Sequence, residues 1–477
     1  MNIIYFHTHD SGRFLDPANS PRSLPNLERF SAAAVTFRNA FSAAPTCSPS
    51  RSALLTGQYP HENGMVGLAH RGFHLHQDAQ HIAGSLSRVG METVLCGVQH
   101  VAGDKSELGY ERVLDARQDY FSRKDVVPHE WDMDNASRVA QFVGEPHDRP
   151  FFLSYGLLST HRPFPQPPAE RSQRMYAPPP WEVPDTPNTR ADMEGFLTSL
   201  QVVDRALGVV LDAVIEAGLW ESTAIVVTTD HGPPFPEMKN TLRDAGFGVS
   251  LIMRIPGLAD DGSVEHSLVS QIDLYPTLRE LAETREVTGA APQKPKSATD
   301  AEEASGATSA ADTARWDHES IGRSLLPLLH GDYGSARTAV YGETNYHAVY
   351  EPARTVRTNR YKLTRRYGTE STPLPANVDD SPGKDVMRKA GYFRIPRARE
   401  KLVDLGLDPG ECRNFVWDPS YAEIYKQLAR RLDTWMQHSR DPLFTGPMPR
   451  PAGSVLNKRD ASSAEEPTYE AEHDTHE

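Results

Sequence analysis

Short apolar runs alternate with amphipathic helical stretches over most of the first 280 residues of the chain. Residues 193–217 carry apolar side chains at helical spacing, and Gly218 follows in the position where helices commonly end. A second helix is predicted at residues 25–34. Four runs have the length and composition of buried strands: residues 3–6, 93–97, 151–157 and 224–228. This alternation predicts an α/β fold with a large, mostly parallel sheet flanked by helices.

The pattern changes after residue 286 and divides the chain. Residues 1–286 are predicted to form an N-terminal α/β domain that carries the candidate chemistry. Residues 287–315, rich in Ala, Thr, Ser, Glu and Pro, predict a disordered insertion. Apolar runs at 325–329, 339–341 and 361–363 and a helix at 422–435 predict a smaller C-terminal α+β subdomain over residues 316–440. Residues 441–477 are expected to form a flexible acidic tail.

Composition and charge exclude several classes of function. Acidic residues outnumber basic residues, 64 to 50, and the net charge of −14 argues against a nucleic-acid partner and against anionic membrane surfaces. No apolar run reaches the roughly 18 residues of a membrane span. Three cysteines are too few for a disulfide framework. Because the first strand begins at once, without room for a signal peptide, a cytoplasmic location is expected.

The most specific motif is the run TCSPSRSALLTG, from Thr46 to Gly57. It places Cys47 at a turn, with Pro49 suited to the first turn of a following helix. The N-terminus of a helix favours an anion, and Arg51 adds a permanent charge whose fork of donors suits a tetrahedral oxyanion. The alternative interpretation is a buried structural cysteine beside a surface arginine.

This run resembles the signature of the sulfatases, Cys-x-Pro-Ser-Arg followed by an apolar pair and Thr-Gly. The resemblance implies an alkaline-phosphatase-like fold. In that family the cysteine is oxidised after translation to formylglycine. One hydroxyl of the hydrated aldehyde attacks sulfur, and the other, once deprotonated, expels sulfate. The resemblance implies that Cys47 is the precursor of this nucleophile and that a formylglycine-generating enzyme is a partner.

Polar pairs follow two predicted strands, where α/β folds place ligands: His9-Asp10 and Asp230-His231. Sulfatases carry Asp-Asp and Asp-Asn at these places and bind Ca²⁺, so Asp10 and Asp230 match, whereas His9 and His231 depart. The resemblance implies a divalent cation held by these four residues and Cys47. Ca²⁺ is the ion expected from the family, and Mn²⁺ or Zn²⁺ is the alternative because imidazole is a poor ligand for Ca²⁺. His9 is equally suited to hydrogen-bond a ligand without binding metal.

Three further matches extend the candidate site. His100 matches the histidine of a Gly-Lys-x-His segment in sulfatases, but Val98 replaces the lysine. His161 resembles a candidate general acid for the leaving group, a task that the ordinary histidine pKa of about 6.5 suits. Lys239 matches a basic residue that bridges nucleophile and sulfate. Each of these residues alone is more often a satisfied polar group, but in family order they predict the catalytic set Cys47, Arg51, His100, His161 and Lys239.

Residues 184–244 resemble the heparan N-sulfatase (N-sulfoglucosamine sulfohydrolase) subgroup, through the stretches 188–192 and 203–205 and the Pro-Phe-Pro at 234–236. That likeness implies a sulfated saccharide substrate carrying a sulfate ester or a sulfamate. Two alternatives stay open. A phosphonate monoester or phosphodiester hydrolase of the same superfamily is suggested by His231 and Val98, and a non-catalytic homologue would only bind a sulfated ligand. His70, His74 and His76 either shape the pocket or face solvent.

Overall fold

Eight strands form one large sheet in the part of the chain that the computed structural model describes, which is residues 1–115, 127–166, 177–283 and 321–470. In chain order they are β1 (Asn2–Thr8), β2 (Val35–Phe41), β3 (Glu92–Gly97), β4 (Arg112–Val113), β5 (Phe151–Gly156), β6 (Thr223–Thr229), β7 (Gly248–Arg254) and β8 (Val264–Ser270). Their order across the sheet is β4-β3-β5-β1-β6-β7-β2-β8. Strand β7 pairs antiparallel with both neighbours, and the other pairings are parallel. The predicted strands and the mostly parallel sheet are confirmed.

Helices cover both faces of this sheet. Side chains alternate between the two faces along each strand, so each face has its own apolar core. Ile3 and Tyr5 of β1 join one apolar cluster, and Ile4 and Phe6 join the other. The described helices are α1 (Pro25–Ser31), α2 (Cys47–Thr56), α3 (Pro60–Asn63), α4 (Ile82–Arg88), α5 (Pro128–Val143), α6 (Pro187–Glu216), α7 (Asp244–Phe247), α8 (Leu274–Glu283), α9 (Leu326–Leu329), α10 (Pro382–Lys389) and α11 (Ala422–His438). The first cluster contains residues of α2, α4, α8 and α11, and the second contains residues of α1, α5 and α6.

Helix α6 begins six residues before the predicted start at residue 193. The Thr186 hydroxyl accepts a hydrogen bond from the Thr189 N–H at 3.2 Å, and Pro187 occupies the first helical position. These capping signals precede the apolar repeat from which the prediction was made. The helix ends as predicted just before Gly218, whose φ is 69°. Within the described ranges, neither this helix nor any other is both long and apolar enough to cross a membrane.

The ends of β3 and β5 lie unusually close together. A Cβ atom on Gly97 would lie 2.1 Å from the carbonyl oxygen of Gly156, and a Cβ atom on Gly156 would lie 2.0 Å from that of Val98. Only glycine fits at both positions, since real side chains would collide with backbone. The close approach brings the chain that follows β3 against the chain that follows β5.

The predicted smaller α+β subdomain contains four strands, β9 (Val340–Tyr346), β10 (Tyr350–Arg357), β11 (Tyr361–Arg366) and β12 (Glu400–Asp404). They form an antiparallel sheet with the order β12-β11-β10-β9. Helix α11 packs on this sheet through Leu428, Leu432 and Trp435, which belong to the same core cluster as one face of the large sheet. The insertion predicted at residues 287–315 lies outside the described residues.

Residues 441–470 differ from the predicted flexible tail. Asp441 pairs with the buried Arg354 of β10, and its Oδ1 lies 2.9 Å from Nη2. Two further strands, β13 (Val455–Asn457) and β14 (Thr468–Glu470), pair antiparallel. Leu456 is buried, and Asn457 accepts a hydrogen bond from Arg71 at 2.9 Å. The structure corrects the prediction here because the anchors are single residues with distant partners, which leave no periodic pattern. Residues 471–477 lie outside the described ranges.

We expect Asp441→Ala to lower the free energy of unfolding by about 3–5 kcal/mol, because the buried Arg354 guanidinium would lose its carboxylate partner. Asp433→Ala is the matched control, since Asp433 pairs with Arg365 but is 44% exposed. Its expected cost is about 0–1 kcal/mol. Urea unfolding followed by circular dichroism measures both, and equal losses would contradict an anchoring role for Asp441.

Candidate active site

Four neighbouring parallel strands, β3, β5, β1 and β6, deliver most of the predicted site residues to one edge of the sheet. His100 follows β3, His161 follows β5, the pair His9-Asp10 follows β1, and Asp230-His231 follows β6. Thr8 and Thr229 are register partners, so Asp10 and Asp230 leave the sheet side by side. The carboxyl ends of parallel strands are where α/β folds place ligands, and the structure brings these residues together there.

Cys47 is the first residue of α2 rather than part of a turn before it, and Thr46 precedes it in extended conformation. Its Sγ lies 3.4 Å from Nε2 of His231. Burial raises the pKa of the Cys47 thiol, but the positive charges of Lys239 and His231 together have the larger effect and lower the pKa to about 7. The sulfur therefore occupies an electropositive position where a side-chain anion is stabilised.

Two buried carboxylates form the centre of the site. Asp10 Oδ2 accepts a hydrogen bond from Lys239 Nζ at 3.0 Å, and its Oδ1 lies 3.3 Å from His231 Nε2. Asp230 Oδ1 accepts the backbone N–H groups of Asp10 and His231, at 2.8 and 2.9 Å. Burial raises the pKa of each carboxyl. The charge of Lys239 nevertheless holds the pKa of Asp10 well below its usual range. The charges of His231 and Arg51 do the same for the pKa of Asp230.

Arg51 lies beneath the site and not in the cleft, which differs from the predicted contact with an oxyanion. The side chain is buried, and its Nε and Nη2 lie 3.2 and 3.1 Å from Asp230 Oδ2. Nη2 also donates to the Thr8 carbonyl at 2.9 Å, and Nη1 lies 2.6 Å from His7 Nδ1. Since every donor group points at β1 or at Asp230, Arg51 orients the carboxylate and compensates its charge.

Three further imidazoles, those of His70, His100 and His161, lie near the buried His9. The ring centroid of His9 lies 5.6 Å from that of His100 and 5.3 Å from that of His161. His70 Nδ1 lies 3.0 Å from His100 Nε2, and His70 lines the pocket. His74, by contrast, is exposed. Burial and the charge of Lys239 lower the pKa of His161 to about 4, below the value near 6.5 expected from the sequence.

The donor set fits a divalent cation. One ligand atom from each of His9, Asp10, Cys47 and Asp230 lies within 4.8 Å of the others, and all four residues are buried. Burial lowers the pKa values of His9 and His231, but the negative charge of Asp230 is the largest opposing effect. The net result is a pKa of about 10 for His9 and about 9 for His231. The carboxylates thus attract positive charge strongly enough to keep these imidazoles protonated. A divalent cation bound here would take the place of those protons, with the four clustered residues and the neighbouring His231 as candidate ligands.

A cavity of about 820 Å³ opens over Cys47, His100, His161 and Lys239. Several of its lining residues were not predicted: Arg71, Arg162, Asn188, Asp192, His347, Asp379 and Glu465. Arg162 holds Asp192 through two hydrogen bonds of 2.6 Å. Glu465 comes from the segment that was predicted to be a tail. Asn188 and Asp192 lie on α6, in the stretch 188–192 that resembles the heparan N-sulfatase subgroup. The other residues come from separate parts of the chain that only the folded structure brings together.

The family model described as Sulfatase matches residues 11–284, more than half of the chain. The chain belongs to the sulfatase family. The protein is therefore a sulfuric ester hydrolase, and Cys47 of the signature lines the cavity.

Known proteins resemble this chain in sequence or in fold. The sulfatase is 28% identical to N-sulphoglucosamine sulphohydrolase of Homo sapiens, over 92% of this chain and 90% of the relative. A solved structure described as in complex with its substrate D-glucosamine-2-N,6-O-disulfate has a TM-score of 0.66 at 17% identity, covering 93% of this chain and 99% of that chain. A phosphonate monoester hydrolase from Silicibacter pomeroyi has a TM-score of 0.63 at 18% identity, covering 93% and 96%. The two structures share the alkaline-phosphatase-like fold.

Asp132 of α5, which was not predicted, holds the loop of this sulfatase that carries His161. Its two carboxylate oxygens accept the backbone N–H groups of Leu158 and Ser159, each at 2.8 Å. Thr160, the next residue, donates its N–H to the His9 carbonyl at 3.0 Å. The buried aspartate therefore fixes the loop after β5 to α5, and that loop in turn contacts the loop after β1 through Thr160.

We expect Asp132→Asn to lower the free energy of unfolding by about 1–3 kcal/mol. The side-chain NH₂ group of asparagine would face one of the two backbone N–H donors, which would then lack an acceptor. Asp134→Asn, an exposed position on the same helix, is the control and should have no measurable effect. Urea unfolding near neutral pH compares them. A cost for Asp132→Asn no larger than that of the control would contradict the proposed role of the carboxylate in holding the loop.

Proposed function

We propose that this sulfatase hydrolyses a sulfate ester or sulfamate on a saccharide, using a formylglycine derived from Cys47 and a divalent cation. The observation that carries the proposal is the position of Cys47 Sγ, buried 3.4 Å from His231 and facing the cavity that Lys239 and His161 also line. A hydrated formylglycine here would supply the hydroxyl that attacks sulfur and the hydroxyl that later expels sulfate.

The residues of the chain supply binding and proton transfer around this group. Lys239 is buried, carries a positive charge and faces the cavity, so it suits the anionic sulfate group. His161 is neutral at neutral pH in the ligand-free protein because its pKa is about 4. An anionic substrate beside it would raise that pKa, so that His161 takes up a proton when substrate binds and donates it to the leaving oxygen or nitrogen.

A sulfated amino sugar is the substrate that the relatives favour. One relative is named an N-sulphoglucosamine sulphohydrolase, and a protein of the same fold is described with a glucosamine disulfate as its substrate. The cavity of about 820 Å³ falls in the range of small-ligand pockets, roughly 300–1,000 Å³. Polar side chains such as Asn188, Asp192 and Glu465 line it and suit the hydroxyl and amino groups of a sugar.

Converting Cys47 to formylglycine lowers the mass of its peptide by about 18 Da, which intact-mass analysis of protein from the native host detects. We expect Cys47→Ala to abolish turnover of sulfated substrates while leaving the unfolding transition in place, because the nucleophile is lost but a small buried side chain replaces it. Full activity in Cys47→Ala would contradict the formylglycine mechanism. An unmodified Cys47 together with absent turnover would instead favour a homologue that only binds sulfated ligands.

We also propose that the cation site prefers Mn²⁺ to Ca²⁺. The His231 side chain, 3.3 Å from Asp10 Oδ1, places an imidazole nitrogen among the candidate ligands where a calcium site would use oxygen. We expect His231→Asn to lower Mn²⁺ affinity at least about ten-fold and to lower Ca²⁺ affinity less. Calorimetric titration of metal-stripped protein measures both ions, with exposed His74→Asn as the control. An unchanged Mn²⁺ to Ca²⁺ affinity ratio would show that His231 does not bind the ion.

Phosphonate monoester hydrolysis is the second candidate activity. It is favoured by His231 beside Asp230 and by Val98, which is buried where sulfatases carry a lysine that contacts sulfate. Comparing turnover of aryl sulfate, N-sulfated glucosamine and a phosphonate monoester under the same conditions decides between the two. Preferred turnover of the phosphonate would replace the proposed sulfatase function.

A further inference from the structure

Lys239 lies between two carboxylates that come from different parts of the fold. Its Nζ donates to Asp10 Oδ2 at 3.0 Å and to Asp379 Oδ2 at 3.0 Å. Asp10 follows β1 of the large sheet, whereas Asp379 lies between β11 and α10 in the C-terminal part of the chain. The side chain of Asp379 is 17% exposed and lines the cavity. The C-terminal part therefore supplies a partner for the ammonium group that faces the sulfate site.

The backbone around Asp379 is held on both sides. Asn377 Oδ1 accepts two backbone N–H groups from the turn between β9 and β10, at 3.1 and 3.0 Å. The buried Lys384 donates to the Val378 carbonyl at 2.8 Å and to Asp380 Oδ1 at 2.7 Å. Because the residues before and after Asp379 are anchored, its carboxylate is a rigid partner rather than a side chain on a loose loop.

The segment that carries Lys239 is also linked to the nucleophile helix. The Asn240 N–H donates to the Pro45 carbonyl at 2.7 Å, and its Oδ1 accepts from the Thr46 hydroxyl at 3.0 Å. Asn240 Nδ2 in turn donates to the Asn377 carbonyl at 3.4 Å. Thr46 directly precedes Cys47, so Lys239, Cys47 and Asp379 belong to one connected set of polar contacts.

We propose that Asp379 is a positioning residue that holds the Lys239 ammonium group at the sulfate site, an inference that rests on the proposed sulfatase function. A lysine side chain has several rotatable bonds, and a second charge-assisted contact restricts it more than Asp10 alone would. Asp10 is also a candidate metal ligand. When its oxygens serve a cation, Asp379 remains as the carboxylate that keeps Lys239 in place.

The first test uses Asp379→Asn, which keeps the shape of the side chain but removes its charge. An amide oxygen holds the Lys239 ammonium group less strongly than a carboxylate does, so kcat/KM for a small aryl sulfate should fall on the order of ten- to one-hundred-fold. Asp385→Asn is the control, because Asp385 lies on α10, outside the cavity, and undergoes the same change of charge. The control should retain wild-type kinetics.

A double-mutant cycle separates positioning from direct contact with substrate. If Asp379 acts through Lys239, Asp379→Asn should change kcat/KM little in a Lys239→Met background. A full effect in that background, or an effect seen with a sulfated sugar but not with the aryl sulfate, would overturn the proposal. Asp379→Ser serves as a second variant should Asp379→Asn fail to show a wild-type unfolding transition.

Binding of inorganic sulfate, measured by calorimetry, provides a readout that needs no turnover. Asp379→Asn and Lys239→Met should each weaken sulfate binding, and the double variant should be no weaker than Lys239→Met alone. Unchanged sulfate affinity in Asp379→Asn would overturn the positioning role. If the wild-type protein binds sulfate but hydrolyses none of the sulfated probes, the proposed function fails while the role of Asp379 is still decided by this measurement.

Discussion

The charge of two buried carboxylates, Asp10 and Asp230, is the constraint on which the site depends. An ionised carboxylate deep in a protein is costly unless opposite charge and hydrogen-bond donors surround it. Arg51 and His9 contact Asp230, and Lys239 and His231 contact Asp10. The helix that begins at Cys47 carries Arg51 one turn later, so compensating Asp230 also brings the sulfur to the carboxylates.

The C-terminal part of the chain contributes to the cleft as well as to the core. Asp379 reaches Lys239, and Ala464 and Glu465 form part of the cavity wall. Arg71 ties that wall to the segment following α3, since it donates to Asn457 and to the Ala464 carbonyl. Residues from both parts of the chain therefore line the cleft above Cys47, so the shape of the cleft depends on how the two parts pack together.

Much of the fold was predictable because its elements repeat simple patterns. The buried strands read as continuous β-branched and aromatic runs, and α6 reads as an apolar stripe. The start of α6 was missed because Thr186 caps it before the stripe begins. The segment 441–470 was predicted wrongly because Asp441 and Asn457 each make one long-range contact, to Arg354 and Arg71, and such contacts leave no trace in local periodicity.

The sequence by itself determined which residues could carry the chemistry. The run around Cys47 and the pairs His9-Asp10 and Asp230-His231 are short, and their residue types are specific enough to be recognised without a fold. Only the tertiary structure decided what each residue faces. Arg51 lies beneath Asp230, and burial together with the charge of Lys239 lowers the pKa of His161 to about 4. Asp379 contacts Lys239 although the two are 140 positions apart in the sequence. Direction, burial and neighbouring charge depend on the whole packed chain, and they set the role of a side chain as much as its identity does.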